Sequence, residues 1–272
     1  MSGGLHALRV SLVQGDTRWH DPAGNRDHYA ALLAPLAGST DLVVLPETFT
    51  SGFSNDAIAQ AEDMQGPTIA WMRAQAGALD AAVTGSVQLR VEGRVYNRLL
   101  FVTPDGALQH YDKRHLFRYG GEHERYDAGR ERLCVEWRGW RINPQVCYDL
   151  RFPAFCRNRF DVERPGRLDF DLQLFVANWP SARAHAWQTL LRARAIENLC
   201  FVAGVNRVGV DGNALHYAGH SAVIDFLGQP QVEMQGCEQV VTTTLSAEAL
   251  ARHRDRFPAM LDADRFTLDV PG

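Results

Sequence analysis

Three stretches of this chain end an apolar run on a side chain that can do chemistry: Glu47 in "DLVVLPETF", Lys113 in "LQHYDKRHLF" and Cys147 in "INPQVCYDLRFPAFC". A cysteine that only fills a core is expected among apolar neighbours on both sides, yet Tyr148, Asp149 and Arg151 follow Cys147 at once. A free thiol is only about 3% thiolate at neutral pH, so a nearby base or cation is needed to make it a nucleophile. A glutamate can take the proton, and a lysine can stabilise negative charge on an attacked carbonyl. Taken singly, each has a bland reading: a solvated loop carboxylate, a surface cation beside Arg114, an inert buried thiol.

What could bring them together is the order of the elements. "LRVSLVQ" (8–14) and "DLVVLP" (41–46) read as buried strands, with a helix from about Asn25 to Ala37 between them. "PTIAWMRAQAGAL" (67–79) has helical spacing, and "AAVTGSVQLR" and "RVYNRLLFVT" are strands joined across Glu92-Gly93. After a polar, Gly-rich loop (113–130) come the strands "RLCVEW" and "WRINPQVC", a helix from about Pro153, the strand "DLQLFVANW" and a helix from Ala182 to Asn198. "CFVAGVNRVG", "SAVIDFLG" and "EQVVTTTL" are further strands, and a polar helix precedes the tail. Alternating strands and helices with hairpins predict an α/β fold with mixed sheets, each covered by helices on one face only. Functional groups in such folds collect just past strand ends, which is where all three residues fall.

The 272 residues, 46% hydrophobic and 22% charged, fit one globular domain spanning 1–272 with a sizeable core. A net charge of −4 offers no basic field for nucleic acid or an anionic membrane. No apolar run reaches membrane-spanning length, and the start lacks a leader pattern, which predicts a cytoplasmic protein. Five scattered cysteines (134, 147, 156, 200, 237) predict reduced thiols; the absence of zinc spacing predicts no metal, and the absence of GxGxxG and of a GxxxxGK(S/T) loop predicts no other cofactor.

The motifs "LPETFTSGF", "YDKRHLF" and "VCYDLRFP" agree in residue type, order and context with the Glu-Lys-Cys active sites of the nitrilase superfamily of carbon-nitrogen hydrolases, which this chain resembles. The likeness continues through "NWPSARAHAWQTLLRARAIENLCFVAGVNRVG" and "GHSAVIDFLGQ", covering nearly the whole chain. It implies a four-layer αββα sandwich, dimerised through helices as a homodimer. It also implies roles: Glu47 the general base, Cys147 the nucleophile on an amide carbonyl, Lys113 a donor to the tetrahedral oxyanion. The backbone N–H of Tyr148 would complete the oxyanion hole, where losing one donor typically costs about 3–4 kcal/mol of barrier. A second, supporting glutamate fits Glu122, with Glu124 as substitute, to orient Lys113. "FTSGFSN", "KRHLFRYGGEHERY" and "CYDLRFP" resemble the omega-amidase subgroup, which hydrolyses 2-oxoglutaramate or 2-oxosuccinamate to acid and ammonia. The partners are then a small amide and water. A hydrolase of N-carbamoyl amino acids or other aliphatic amides, and a non-catalytic binding or regulatory protein keeping the fold, are the alternatives.

His115 and His123 offer a rival Cys-His chemistry, with packing and a rim position as their structural readings. Asp149 and Arg151 are expected to form an ion pair fixing the turn after the thiol. Cys134, Cys156, Cys200 and Cys237 are expected to be structural, and Trp137, Trp140 and Trp187 to fill core or interface. Trp179, at a strand end, and Phe53 are candidate pocket walls, and Arg183 is a candidate ligand for a substrate carboxylate.

Overall fold

The structure, a computed structural model, describes residues 6–161 and 167–268. The first half supplies strands β1 (Leu8–Gln14), β2 (Leu42–Val44), β3 (Ala82–Val91), β4 (Arg94–Val102) and β5 (Leu108–Asp112), with helices α1 (Pro22–Leu33) and α2 (Pro67–Leu79). From the middle come β6 (Val135–Trp137), β7 (Trp140–Val146), the short helix α3 (Pro153–Cys156), a small pair β8 (Phe160–Asp161) and β9 (Arg167–Leu168), β10 (Leu172–Ala177) and helix α4 (Ala184–Asn198). The last part adds β11 (Phe201–Asn206), β12 (Val208–Val210), β13 (His216–Ala218), β14 (Ala222–Ile224), β15 (Pro230–Glu233), β16 (Gln239–Leu245) and helix α5 (Ala247–Arg256).

Two six-stranded sheets result, ordered β16-β1-β2-β3-β4-β5 and β15-β14-β11-β10-β7-β6. Both are mixed: β1, β2 and β3 run parallel, as do β7, β10 and β11, while the outer strands pair antiparallel. Alternation along the strands sorts side chains into layers. Leu42 and Val44 of β2 face Leu172, Leu174 and Val176 of β10 across the space between the sheets. Val43 points the other way, onto Leu33 of α1 and Met72 and Ala76 of α2. Phe175 and Val202 pack outward on Trp187 and Leu191 of α4. Both faces of each central strand are therefore buried, so these segments read as unbroken apolar runs. The fold is the expected four-layer αββα sandwich.

Several boundaries differ from expectation. Helix α1 starts at Pro22, three residues early, because Asp21 caps Gly24 N–H at 2.9 Å and Pro22 sits where its missing donor costs nothing. Asn25 is instead a buried tie, bonding both backbone groups of Arg18 and the carbonyl of Thr50. The helix at Pro153 lasts four residues only. The run 200–209 breaks at Arg207, whose fully buried guanidinium leaves the sheet to pair with Asp16 at 3.1 Å and cover the Tyr217 ring. Ser181–Arg183 forms a 3-10 turn before α4 begins.

Candidate active site

Glu47 lies three residues beyond β2 and Lys113 directly follows β5, both in the first sheet. Cys147 directly follows β7 and Asn178 follows β10, both in the second. The groups thus meet across the seam between the two sheets. Two of the turns are strained: Cys147 has φ 45° and Thr48, next to Glu47, has φ 42°. A left-handed non-glycine residue costs about 1–2 kcal/mol and persists where its surroundings impose it. Here they do. Thr48 N–H is held by Ser86 Oγ at 2.9 Å and Thr48 Oγ1 by Asn178 Nδ2 at 3.0 Å.

After Cys147 the chain enters a 3-10 turn, Cys147–Arg151, pinned by Asp149. The Asp149 carboxylate accepts from Val146 N–H at 3.0 Å, Tyr111 Oη at 2.7 Å and His115 N–H at 2.9 Å, and meets His115 Nδ1 at 2.7 Å. One buried carboxylate therefore fastens the cysteine turn to the loop that carries Lys113. The expected Asp149–Arg151 pair does not form, because Asp149 is consumed by these donors and Arg151 lies over the Trp179 ring at 4.9 Å. His115 stacks on Phe152 at 3.7 Å. Neither His115 nor His123 lines the cavity that holds Cys147, which leaves the carboxylate as its partner.

Glu47, Lys113 and Glu122 are 1%, 1% and 0% exposed. Lys113 Nζ sits between the two acids, 2.9 Å from Glu47 Oε1 and 2.9 Å from Glu122 Oε2. Glu122 also accepts from Phe117 N–H at 2.6 Å, so the loop folds back onto its own lysine. Glu124 points to solvent beside His123, which selects Glu122 of the two sequence candidates. Two asparagines that sequence reasoning missed complete the network. Asn97 Nδ2 donates to Glu47 Oε1 at 2.8 Å and Glu122 Oε1 at 3.3 Å. Asn178 N–H donates to Glu47 Oε2 at 2.7 Å, and its amide holds the Glu47 carbonyl at 2.7 Å. The signal for Asn97 was a lone amide inside the apolar strand "RVYNRLLFV", where a buried polar group demands partners.

The electrostatics follow from burial and from this pairing. Burial disfavours the Lys113 ammonium, but the charges of Glu122, Glu47 and Cys147 outweigh it and hold its pKa well above the ordinary lysine value. Burial raises the Glu122 carboxyl, against the pull of Lys113. Burial, then the Glu47 charge, push the Cys147 thiol well above its ordinary value, with Lys113 opposing. The pocket thus favours the protonated form of the sulfur.

Glu47, Lys113 and Cys147 form part of the lining of a cavity of about 300 Å³, with Glu122 buried behind Lys113. Phe53, Tyr148, Trp179 and Arg183 all line it, as does Arg151, which sequence reasoning had given another task. Phe53 covers Lys113 Nζ at 5.2 Å from the ring centre. Trp179 carries Arg151 on its face and donates its indole N–H to the Arg183 carbonyl at 2.9 Å. Arg183 lies over the Phe117 ring at 5.4 Å. Neither guanidinium makes an ion pair among the described residues. Tyr148 is the second residue of its 3-10 turn, where a backbone N–H has no carbonyl partner within the turn. Cys156 and Cys200 are buried, as expected of structural thiols, whereas Cys134 and Cys237 are exposed. Among the described residues no cluster of three or more His, Cys, Asp or Glu is arranged to hold a metal, and no helix is long and apolar enough to cross a membrane.

A model of the carbon-nitrogen hydrolase family matches residues 9–255. Over 265 residues the chain is 48% identical to the omega-amidase YafV of Yersinia enterocolitica, an alignment covering 97% of this chain and 100% of that one. It is 30% identical over 256 residues to the 2-oxoglutaramate amidase of Bacillus subtilis strain 168, covering 93% and 96%. A solved structure of a CN-hydrolase superfamily protein from Xanthomonas campestris, with an arsenic adduct in its active site, is 81% identical with a TM-score of 0.96, covering 97% of this chain and 100% of that one.

Proposed function

Because the chain belongs to the carbon-nitrogen hydrolase family, we propose that it is a thiol amidohydrolase cleaving the terminal amide of a small 2-oxo dicarboxylic acid monoamide, 2-oxoglutaramate or 2-oxosuccinamate. The observation that carries this reading is the convergence of Glu47, Lys113 and Cys147 on one cavity, with Glu122 behind the lysine, whose wall bears two guanidiniums without a carboxylate partner among the described residues.

Cys147 is the nucleophile. As its sulfur bonds to the amide carbon, the S–H proton passes to Glu47 and the carbonyl electron pair moves onto oxygen. Lys113 Nζ and the Tyr148 N–H stabilise that oxyanion. When the C–N bond breaks, the proton on Glu47 moves to nitrogen and ammonia departs, leaving a thioester. Water then gives a proton to Glu47 and attacks the acyl carbon; the C–S bond breaks, and the proton returns to sulfur. Glu122 holds Lys113 in place, so that one ammonium serves two acids. Phe53 and Trp179 wall the acyl chain, and Arg183 with Arg151 bind the distal carboxylate through their planar forks.

One domain is supported by a core that draws on both sheets. Exposed Ile196 on α4, with Leu227 and Phe257, supports a homodimer, and cytoplasmic residence accords with the free thiols. Ammonia release tests the substrate: 2-oxoglutaramate is expected to give a kcat/KM at least about tenfold above glutamine and N-carbamoyl amino acids. Faster release from an N-carbamoyl amino acid would move the chain to that class. Silence toward all three, with folded protein and reduced thiols, would leave the proposed substrates without support.

A further inference from the structure

A carboxylate has about four lone-pair sites, two on each oxygen, and their occupancy on Glu47 is uneven. Oε1 receives two donors, Lys113 Nζ at 2.9 Å and Asn97 Nδ2 at 2.8 Å. Oε2 receives one protein donor, Asn178 N–H at 2.7 Å. Asn178 also belongs to the nucleophile's surroundings, since its carbonyl lies 4.0 Å from Cys147 Sγ. The two oxygens of the base are thus inequivalent, and the asymmetry is set by an amide.

Asn97 suits that task in three ways. It is 1% exposed, in β4, and its own carbonyl accepts the Lys113 N–H at 3.0 Å, so one residue fixes both the lysine backbone and the carboxylate. Both hydrogens of its Nδ2 are used, one on each glutamate, which a hydroxyl with a single hydrogen could not reproduce. Its Oδ1 is buried with no partner among the described residues. An orphaned acceptor is unfavourable, and an apolar residue would remove it, so packing alone does not account for an amide there.

We propose that Asn97 is a positioning residue that, with Lys113, saturates Glu47 Oε1 and so directs the Cys147 proton to Glu47 Oε2. The proton moves from sulfur to Oε2 as the S–C bond forms, and from Oε2 to the departing nitrogen as the C–N bond breaks. With both donors on Oε1, the carboxyl group keeps one orientation through both transfers. This rests on Glu47 acting as the base, and it adds the atom that does the work and the residue that selects it.

The test uses Asn97→Leu, close in size and free of the orphaned acceptor, and Asn97→Asp, which keeps the shape but offers no donor. Each is first checked for native circular dichroism and melting. Loss of a hydrogen bond to the ionised form makes Glu47 easier to protonate. The acid limb of the kcat profile is therefore expected to move up by about one pH unit, with kcat down about 10- to 100-fold and KM little changed. The groups facing Glu47 are Lys113, Glu122 and Cys147, with Tyr126 and Tyr217 further out. Of these only Glu122 titrates on the acid side, so the shift must persist in a Glu122→Gln background. The same limb is read without any amide substrate by following iodoacetamide modification of Cys147, with mass spectrometry identifying the modified residue. Failure of the proposed substrates would leave that second readout intact. Folded Asn97→Leu with an unmoved limb in the alkylation profile would overturn the proposal.

Discussion

Two guanidiniums in the cavity are held by rings and not by acids. Arg151 rests on Trp179 and Arg183 on Phe117, which fixes the plane of each fork and leaves its N–H edges free for an anion. Arg151→Met is expected to raise KM for 2-oxoglutaramate about 10- to 100-fold with kcat within a few-fold, because the contact is made equally before and during reaction. Arg151→Lys should recover only part of the loss, since an ammonium lacks the fork; steady-state kinetics decide both. Arg183 was legible as a candidate because it opens a helix beside a strand end. Arg151 was not, because its nearness to Asp149 suggested an ion pair. In a 3-10 turn, residues two apart point roughly 120° away from each other, so that pairing fails on geometry.

At the level of elements, side chains of α4 pack directly onto Gly204 of β11, in space that a side chain there would occupy. A Cβ at Gly204 would stand 2.6 Å from Leu191 Cδ1 and 2.8 Å from Trp187 Cζ2, both in buried side chains. Gly204→Val is therefore expected to cost about 1–3 kcal/mol in urea denaturation. It should also raise KM, because α4 begins beside Arg183. Elements were readable where pattern and capping chemistry agreed: α2 was expected to cover 67–79 and does, opening on Pro67 and closing at Asp80 in the left-handed conformation. They were misread where a side chain overrode the pattern, as Asp21 did at the start of α1 and Arg207 did in the strand after α4. The lone amide in "RVYNRLLFV" signals that Asn97 needs partners, but not that those partners are two acids. Their identity depends on which strands become neighbours.

Across the whole molecule three thiols share one property. Burial raises Cys156 to about 12 and pushes Cys147 and Cys200 well above the ordinary thiol value. The folded chain thus keeps protons that the unfolded chain releases above the ordinary thiol value of 9.0. Stability should be insensitive to these groups below that value. Above it, stability should fall by up to about 1.4 kcal/mol per pH unit for each fully buried thiol, until the folded thiol also ionises. Denaturation midpoints from about pH 8 to about pH 11 measure this, and Cys156→Ala should flatten the slope. Lys113 runs the same way: its raised pKa contributes stability that is fully present below the ordinary lysine value and is lost as pH climbs from there through the folded one.

The layered fold was legible because central strands buried on two faces leave long apolar runs, and the nearness of Glu47, Lys113 and Cys147 was legible because strand ends are where such folds open. What no linear reading supplies is that the acid and lysine hang from one sheet while the sulfur hangs from the other. Any glide of one sheet over its neighbour therefore misaligns sulfur and carboxylate while every ladder stays intact. The packing of aliphatic side chains between the layers is, in effect, the jig that sets the reacting distance.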